Sequence, residues 1–582
     1  MSSKDRRPYL TATTLNQALL DAAHDNLDCR LEVICEIDLG SEVIRVSDRN
    51  KYVLWVEEGE VRGRFYEART NIPVIQRTVG DWLVPDIQFS TVTLELSNVD
   101  GRYNKYLPGG AQYAPWINRP LTVKIGLGEN GLTYFPIFSG TITDVGGMKR
   151  SVKSVTLIAR DRFDAMNVSF PKGVLSKSVF PHLGEDMVGK LAPVIYGDWT
   201  TNLGPDPAAI PAMVVNGADP DVVDGARNPV DVIVTTLPLT ALDLENVYFK
   251  KGDEYLLVPS SEITAVGSDH NRFTIAQQTS VAWVPGGEAP EGYKYSQGDS
   301  FFVRCKGKDL GAYSDNIIWQ ARDILKTYGG LTDDAFDANW QTYRDKNNPS
   351  YPQSAIKNFK SRIYETEQKT AIQYALSLLE QVRLEAFVSR AQKIKIHSLH
   401  FEDWQVASNF TLQNWDIVKD SFDLSVPEKD TFNRARGTFN FLPSRNENAQ
   451  QTAVLVNPAS VTQLGKAISK QVTFPNLYDQ ATVTLQVREI LKISSSLLEI
   501  GTFSVTWRSA LRDIGDIISL NISIGSSVFD TVPVMIREIG YDPVGFKLPL
   551  KSWILALCPF PNYTPGLAGT VGGHQAVITE ET

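Results

Sequence analysis

The chain has 582 residues, 42% hydrophobic and 21% charged, with 57 Lys and Arg against 67 Asp and Glu and a net charge of −10. That length is too great for one core and predicts roughly three to five domains, while the composition excludes a disordered protein. The acidic balance argues against a surface built to grip phosphate backbones, and no run reaches the ~18 apolar residues of a membrane span.

The opening "MSSKDRRPYLTATTLNQALL" lacks the apolar centre of a signal peptide, so synthesis in, and solubility in, a cytoplasm is expected. Within "TTLNQALLDAA" (13–23), Leu15, Leu19 and Ala22 fall at helical spacing and predict a short helix or docking arm. From about 29 to 165 the pattern changes to period two. "RLEVICEIDL", "KYVLWVEE", "PLTVKIGL", "FPIFSGTITDV" and "SVKSVTLIAR" each offer one apolar and one polar face, which suits an antiparallel barrel or sandwich. "TVTLELSNVDGRYNKYLPGG" (91–110) is the clearest case. Val92, Leu94 and Leu96 point one way and Thr93, Glu95 and Ser97 the other. Asp100-Gly101 then turns the chain, because Gly tolerates positive φ and Asp bonds its own backbone. Gly146-Gly147 predicts a hairpin turn.

Residues 170–310 are rich in Pro, Gly and Asp, with "DVIVTTL", "NVYFKKGDEYLLV" and "RFTIAQQ" between turns, one of them at Lys251-Gly252-Asp253. This predicts a β module with long loops. The first long helical pattern is "SDNIIWQARDILKTYGG". Ser314 is its expected N-cap, Ile317, Ile318, Ala321, Ile324 and Leu325 its buried face, and Gly329-Gly330 its end. "ETEQKTAIQYALSLLEQV" repeats the pattern with Ile372, Ala375, Leu376, Leu379 and Val382. It runs into "RLEAFVSRAQKIKIHSL", a hairpin whose second strand alternates Lys393, Ile394, Lys395 and Ile396. Long helices are expected only over 314–384. After 430 the chain reads as β again, through "IGDIISLNIS", "VPVMIREIG" and "FKLPLKSWILAL", to an extended Pro/Gly-rich tail.

The expected fold class is therefore mainly β with α+β parts: a multidomain chain of antiparallel small barrels or sandwiches plus a helix-hairpin α+β domain. The expected divisions are an N-terminal arm (1–28), a β-barrel domain (29–168), a loop-rich β module (169–312), the α+β helix-hairpin domain (313–410), a second β domain (411–505), a closing β module (506–558) and an extended tail (559–582).

Chemistry-bearing motifs are scarce. "HSLHFED" offers His397, His400, Glu402 and Asp403, but on a continuing strand the two His lie an odd number apart and face opposite ways. "DPDVVDG" offers Asp219, Asp221, Asp224 and Gly225, yet Val223 stands where a calcium loop needs its third acid, which favours an ordinary acidic turn. Cys29, Cys35, Cys305 and Cys558 are too scattered for a disulfide framework or a metal cluster, and buried free thiols are expected. Cys29 and Cys35 share a strand face but lie about 20 Å apart at strand rise. No catalytic, cofactor or metal residues are assigned, and no enzyme activity is expected. The 11 Trp are expected as core and interface anchors rather than a sugar platform.

"LELSNVDGRYN" resembles a phrase of the tail-tip and baseplate-hub proteins of tailed bacteriophages, where a strand ends in an Asn-x-Asp-Gly-Arg turn. "FSGTITDV", "VTLIARDRFDAM", "APVIYGDW", "DNIIWQARDILKTYGGL", the helix-hairpin segment and "LRDIGDIISLNIS" follow in that family's order. The likeness spans most of 85–555; the block 200–310 and the tail match nothing in it. It implies two related small barrels joined by α+β domains, and a homotrimeric ring that adapts a sixfold tail tube to threefold tip parts. The implied partners are the distal tail protein and tail tube, the tape measure protein and a central fibre or spike. DNA passes through the ring without specific binding, along an acidic or neutral wall. The implied location is the virion tail tip, assembled in the host cytoplasm. The alternative is a glycan-binding or glycan-degrading tail protein, which calls for a deep cleft with convergent acids and exposed Trp.

Overall fold

The computed structural model describes residues 20–21, 31–57, 60–71, 75–78, 90–112, 116–127, 134–146, 153–180, 183, 185, 187–201, 210–216, 230–251, 254–265, 268–275, 300–345, 359–389, 392–400, 410–425, 431–495, 499–524, 527–541, 548–554 and 579–580. The first strands are β1 (Leu31–Asp38), β2 (Val43–Ser47), β3 (Lys51–Glu57), β4 (Glu60–Ala68), β5 (Ile75–Thr78), β6 (Thr91–Ser97), β7 (Pro120–Leu127), β8 (Phe135–Gly146) and β9 (Ser154–Arg160). Strand β6 shows the physical rule plainly. Val92, Leu94 and Leu96 are buried between exposed polar neighbours, as period two requires. Antiparallel pairing runs β6-β9-β8-β7-β1-β2, then β2 meets β4 in parallel and β4 folds back on β3. Strand β4 carries no core-facing alternation, so period-two reading passes over it. Of the predicted arm, only Leu20 and Asp21 are described; Leu20 is buried in the core beneath the sheet.

A second sheet follows, after the short pieces β10 (Ser169–Phe170) and β11 (Val194–Tyr196). It contains β12 (Ile210–Asn216), β13 (Val230–Ile233), β14 (Ala241–Lys251), β15 (Glu254–Leu257), β16 (Ile263–Ala265), β17 (Arg272–Ile275) and β18 (Ser300–Lys306). Their order is β15-β14-β18-β12-β13-β17-β16, around a core of its own that includes Val214, Val232, Phe249, Phe273 and Val303.

Helix α1 (Ile317–Thr327) buries the five predicted apolar positions. Its N-cap is Asn316 rather than Ser314: the Asn316 side chain accepts from the backbone N–H of Ile318 and Trp319 at 3.1 Å each. Ser314 serves the turn before it, its hydroxyl accepting from Leu310 N–H and donating to the Gly311 carbonyl. Gly330, at φ 70°, ends the helix as expected. After α2 (Asn339–Asp345), β19 (Ile363–Glu365) and β20 (Lys369–Thr370), helix α3 (Ala371–Gln381) opens with a Thr370/Gln373 capping box. It feeds the hairpin of β21 (Leu384–Val388) and β22 (Ile394–Ser398), where Ile394 and Ile396 are buried.

The remaining elements are β23 (Thr411–Gln413), β24 (Asp423–Ser425), β25 (Arg434–Leu442), β26 (Glu447–Gln451), β27 (Leu455–Val456), α4 (Pro458–Leu464), β28 (Ser469–Phe474), α5 (Gln480–Ser494), β29 (Glu499–Val505), β30 (Ile517–Ile524), β31 (Ser527–Tyr541), β32 (Leu548–Ile554) and β33 (Thr579–Glu580). Helix α5 corrects the expectation that long helices stop at 384: its 15 residues make it the longest helix described. "TVTLQVREI" is rich in β-branched residues and reads locally as a strand. Its Asp479 cap and its packing on β25 decide otherwise. A Cβ on Gly437 of β25 would sit 2.8 Å from both Val483 and Val487, so glycine lets the helix approach.

Strands β23, β24 and β29–β32 belong to the same 15-stranded sheet as β1–β9. The join is β5 against β31, from Glu538↔Thr78 to Tyr541↔Ile75. One core runs through the junction, from Leu94 and Ile142 to Val534 and Ile539. The range 411–505 contributes strands to two sheets, because β25–β28 form a sheet apart from the large one, with α5 packed on β25 and β27.

Candidate functional site

The turn after β6 uses its polar residues on itself. Asn98 Oδ1 accepts from Tyr103 N–H at 2.8 Å, and its amide nitrogen donates to Asn104 at 2.9 Å. Gly101 sits at φ 72°, the left-handed conformation that glycine favours. Asp100 receives both terminal nitrogens of Arg69 at 2.8 and 2.6 Å, and Arg102 reaches Glu67 at 2.6 Å. The Arg69 hydrogen bonds hold the Asp100 carboxyl down at about 2. Beneath, Tyr103 and Tyr106 both meet buried Trp116 edge-on at 6.2 Å. The Asn-x-Asp-Gly-Arg phrase is therefore an architectural clasp.

The β3–β4 hairpin lies at one end of the large sheet and has two unlike faces. Its inner face rests on β1 through a small apolar cluster of Ile34, Val53, Tyr66 and Tyr134, surrounded by charge. Glu36 takes Lys124 at 2.6 Å, the Tyr66 hydroxyl at 2.7 Å, Arg64 at 3.4 Å and Arg45 at 3.5 Å. Glu32 takes the Tyr134 hydroxyl at 2.7 Å, Arg49 at 3.1 Å and Lys51 at 3.2 Å. Burial raises the Glu36 carboxyl; Lys124, Tyr66 and Arg64 outweigh it and hold the group below its ordinary value. Arg64 and Lys124 both lie over the Trp55 ring, 4.7 and 4.6 Å from its centre.

The outer face is apolar and open. Val61 is 68% exposed, Tyr52 56% and Phe65 51%, with Tyr52 directly opposite Phe65 in the ladder. A Cβ on Gly63 would fall 1.7 Å from the Tyr52 hydroxyl oxygen, so the Tyr52 side chain lies across that glycine. Among the described residues β3 pairs with β4 alone, leaving its other edge open. The signal in the sequence was Val61 and Phe65, which share a face of β4 by parity; Tyr52 joins that face only through its pairing with Phe65. Without the pairing of β3 with β4 it could not be told from a core face.

Of the polar candidates, His397 and His400 are described, and their partners differ. His397 lies on β22 opposite Glu385, its ring beside Gly515, where a Cβ would meet it at 2.8 Å. Strand β22 ends at Ser398, so the parity argument stops short of His400. Buried His400 pairs through Nε2 with the Val382 carbonyl at 3.0 Å and stacks on Phe359. Glu402, Asp403, Asp219, Asp221, Val223, Asp224, Gly225, Cys29 and Cys558 lie outside the described residues. Among the described residues, no three His, Cys, Asp or Glu come together as metal ligands. Cys35 and Cys305 are buried free thiols, and burial pushes Cys35 up to about 12. Trp116, Trp199 and Trp340 are fully buried, whereas Trp415 is 65% exposed.

No family model matches the chain, and no curated protein matches it. Among solved structures it is similar to the 43 kDa tail protein of prophage MuSo2 from Shewanella oneidensis, at 10% identity and TM-score 0.39, over 90% of this chain and 98% of that one. It is also similar to the tail protein from Neisseria meningitidis MC58, at 8% identity and TM-score 0.40, over 91% and 98%. A third is prophage tail protein gp18 from Listeria monocytogenes EGD-e, at 7% identity and TM-score 0.37, over 90% and 94%. Likeness this distant leaves the functional reading to the residues themselves.

Proposed function

We propose that the chain is a structural, non-enzymatic hub of a phage tail tip or baseplate. Three copies form a ring that adapts a sixfold tube to threefold tip components, closes the tail and opens for DNA. The observation that carries an assembly role is the outer face of the β3–β4 hairpin, where Tyr52, Val61 and Phe65 stand exposed together at one end of the large sheet. A contiguous apolar surface of this kind favours burial against a partner. The motif order supports the particular assembly, and the clasp at Asn98–Asn104 gives the leading motif a structural reason. The ring's neighbours in this reading are the tail tube or distal tail protein, the tape measure protein and a central fibre or spike, and its place is the virion. Light scattering and negative-stain microscopy test it: a threefold ring with a central channel is expected. A monomer at micromolar concentration that never rings in the particle, or a channel lined mainly by Lys and Arg, overturns it.

A further inference from the structure

Strand β27 is two residues long for a visible reason. Asn457-Pro458 follows at once and starts α4, with Asn457 capping Ser460 N–H at 3.2 Å. One side of β27 pairs with β25, at Arg434↔Val456 and Ala435↔Leu455. The other side takes β33 antiparallel, at Leu455↔Glu580 and Val456↔Thr579. Leu455 is fully buried, so this edge is embedded in a core and well fixed. The incoming strand is not: two register pairs hold it, and β27 is its one strand partner among the described residues. Between β32, which ends at Ile554, and Thr579 stand residues 555–578, outside the described residues. Twenty-four residues at full extension reach about 80 Å, beyond the width of a domain.

We propose that the edge of β27 is a docking site for an extended strand of a second copy, so that residues 579–580 of one copy pair with β27 of the next. Main-chain pairing at a fixed edge is indifferent to which copy supplies the strand. The two arrangements make the same ladder bonds and differ only in which copy supplies residues 579–580. A two-pair strand 24 residues beyond β32 has little advantage in closing on its own chain over pairing with a neighbour. Closure cost grows slowly with chain length, and a neighbour held in a ring presents its strand at comparable effective concentration. Exchange of an identical element then links copies at low cost. The proposal rests on the oligomeric reading above.

The test uses the full chain with Cys29→Ser and Cys558→Ser, leaving the buried Cys35 and Cys305 in place. A tagged chain carrying Val456→Cys is co-expressed with an untagged chain carrying Thr579→Cys, which face each other across the ladder. A disulfide between the two differently sized chains on a non-reducing gel is the expected result. The double variant in one chain reports separately on whether the pairing forms at all. A link inside the double variant, with none between the mixed single variants, overturns exchange; so does no link in either. Wild-type mass by light scattering separates the two readings. A trimer without the mixed link defeats exchange and leaves the ring standing; a mixed link in a species other than a trimer supports exchange and defeats the threefold ring.

Discussion

Two hairpins of this chain differ in what covers them. The β21–β22 hairpin is driven between the large sheet and the helices. Phe387 lies in the core of the sheet, while its neighbours Ala386 and Val388 lie in the core of α1 and α3. Arg537 of β31 grips Glu385 through two bonds at 2.5 and 2.7 Å. Arg77 of β5 bonds Asp513 at 2.7 Å and donates to the Val388 carbonyl. The β3–β4 hairpin is bonded on one face only, through a half-buried ionic layer, and turns its aromatic face outward. A hairpin covered on both faces holds units of one chain together. One covered on a single face leaves Tyr52, Val61 and Phe65 exposed among the described residues.

The largest effect should come from breaking the covered hairpin. Arg537→Met leaves Glu385 as a buried carboxylate without its bidentate partner, and removing one member of such a pair costs about 3–5 kcal/mol. The midpoint of urea unfolding should fall accordingly. A loss under ~1 kcal/mol would mean that β21 is not clamped there. The double change Arg537→Met with Glu385→Leu should recover much of the loss, because it removes the stranded charge.

Glu36→Gln sharpens the contrast at the other hairpin. The substitution takes the shared negative charge from Lys124, Arg64 and Arg45, but these cations keep access to water. A cost of about 1–2 kcal/mol is expected, smaller than at Glu385. The folded Glu36 carboxyl titrates below the ordinary value of 4.5, so its contribution is present above that pH and is lost as pH falls through the depressed value. The stability gap between wild type and variant should therefore close on acidification. A gap that widens in acid would mean that the carboxyl is not held by its cations.

Most of the fold was legible because period two and the helical period leave direct marks. Val92, Leu94 and Leu96, or Ile372, Ala375 and Leu379, announce their faces through spacing alone. What escaped depends on partners distant in sequence. Helix α5 is set by Gly437, some fifty residues away, which opens β25 to Val483 and Val487. The N-cap of α1 fell to Asn316 because Ser314 was already engaged by Leu310 and Gly311. The join of β5 to β31 has no local trace at all. The outer face of β3–β4 was invisible for a related reason: parity says which residues share a face, not whether another layer covers it.

Replacing Tyr52 and Phe65 together with Ser should have the smallest effect on the chain's own stability and the largest on its company. Both side chains are more than half exposed, so within one copy their loss removes little burial and the change should stay within ~0.5 kcal/mol. If the outer face is a subunit contact, the same pair are its aromatic anchors, and truncating such anchors costs about 2 kcal/mol or more of association each. Over two residues that is a loss of several hundredfold or more in affinity. Light scattering across a concentration series should then show rings dissociating in the variant while wild type holds, with matching urea midpoints for both. The controls Val179→Ser and Val188→Ser change exposed apolar side chains elsewhere and should leave assembly unchanged. Equal assembly of the Tyr52/Phe65 variant and wild type would place the subunit contact elsewhere. A large drop in urea midpoint would instead mean that the outer face is covered within the chain, and the contrast between the two hairpins would fail.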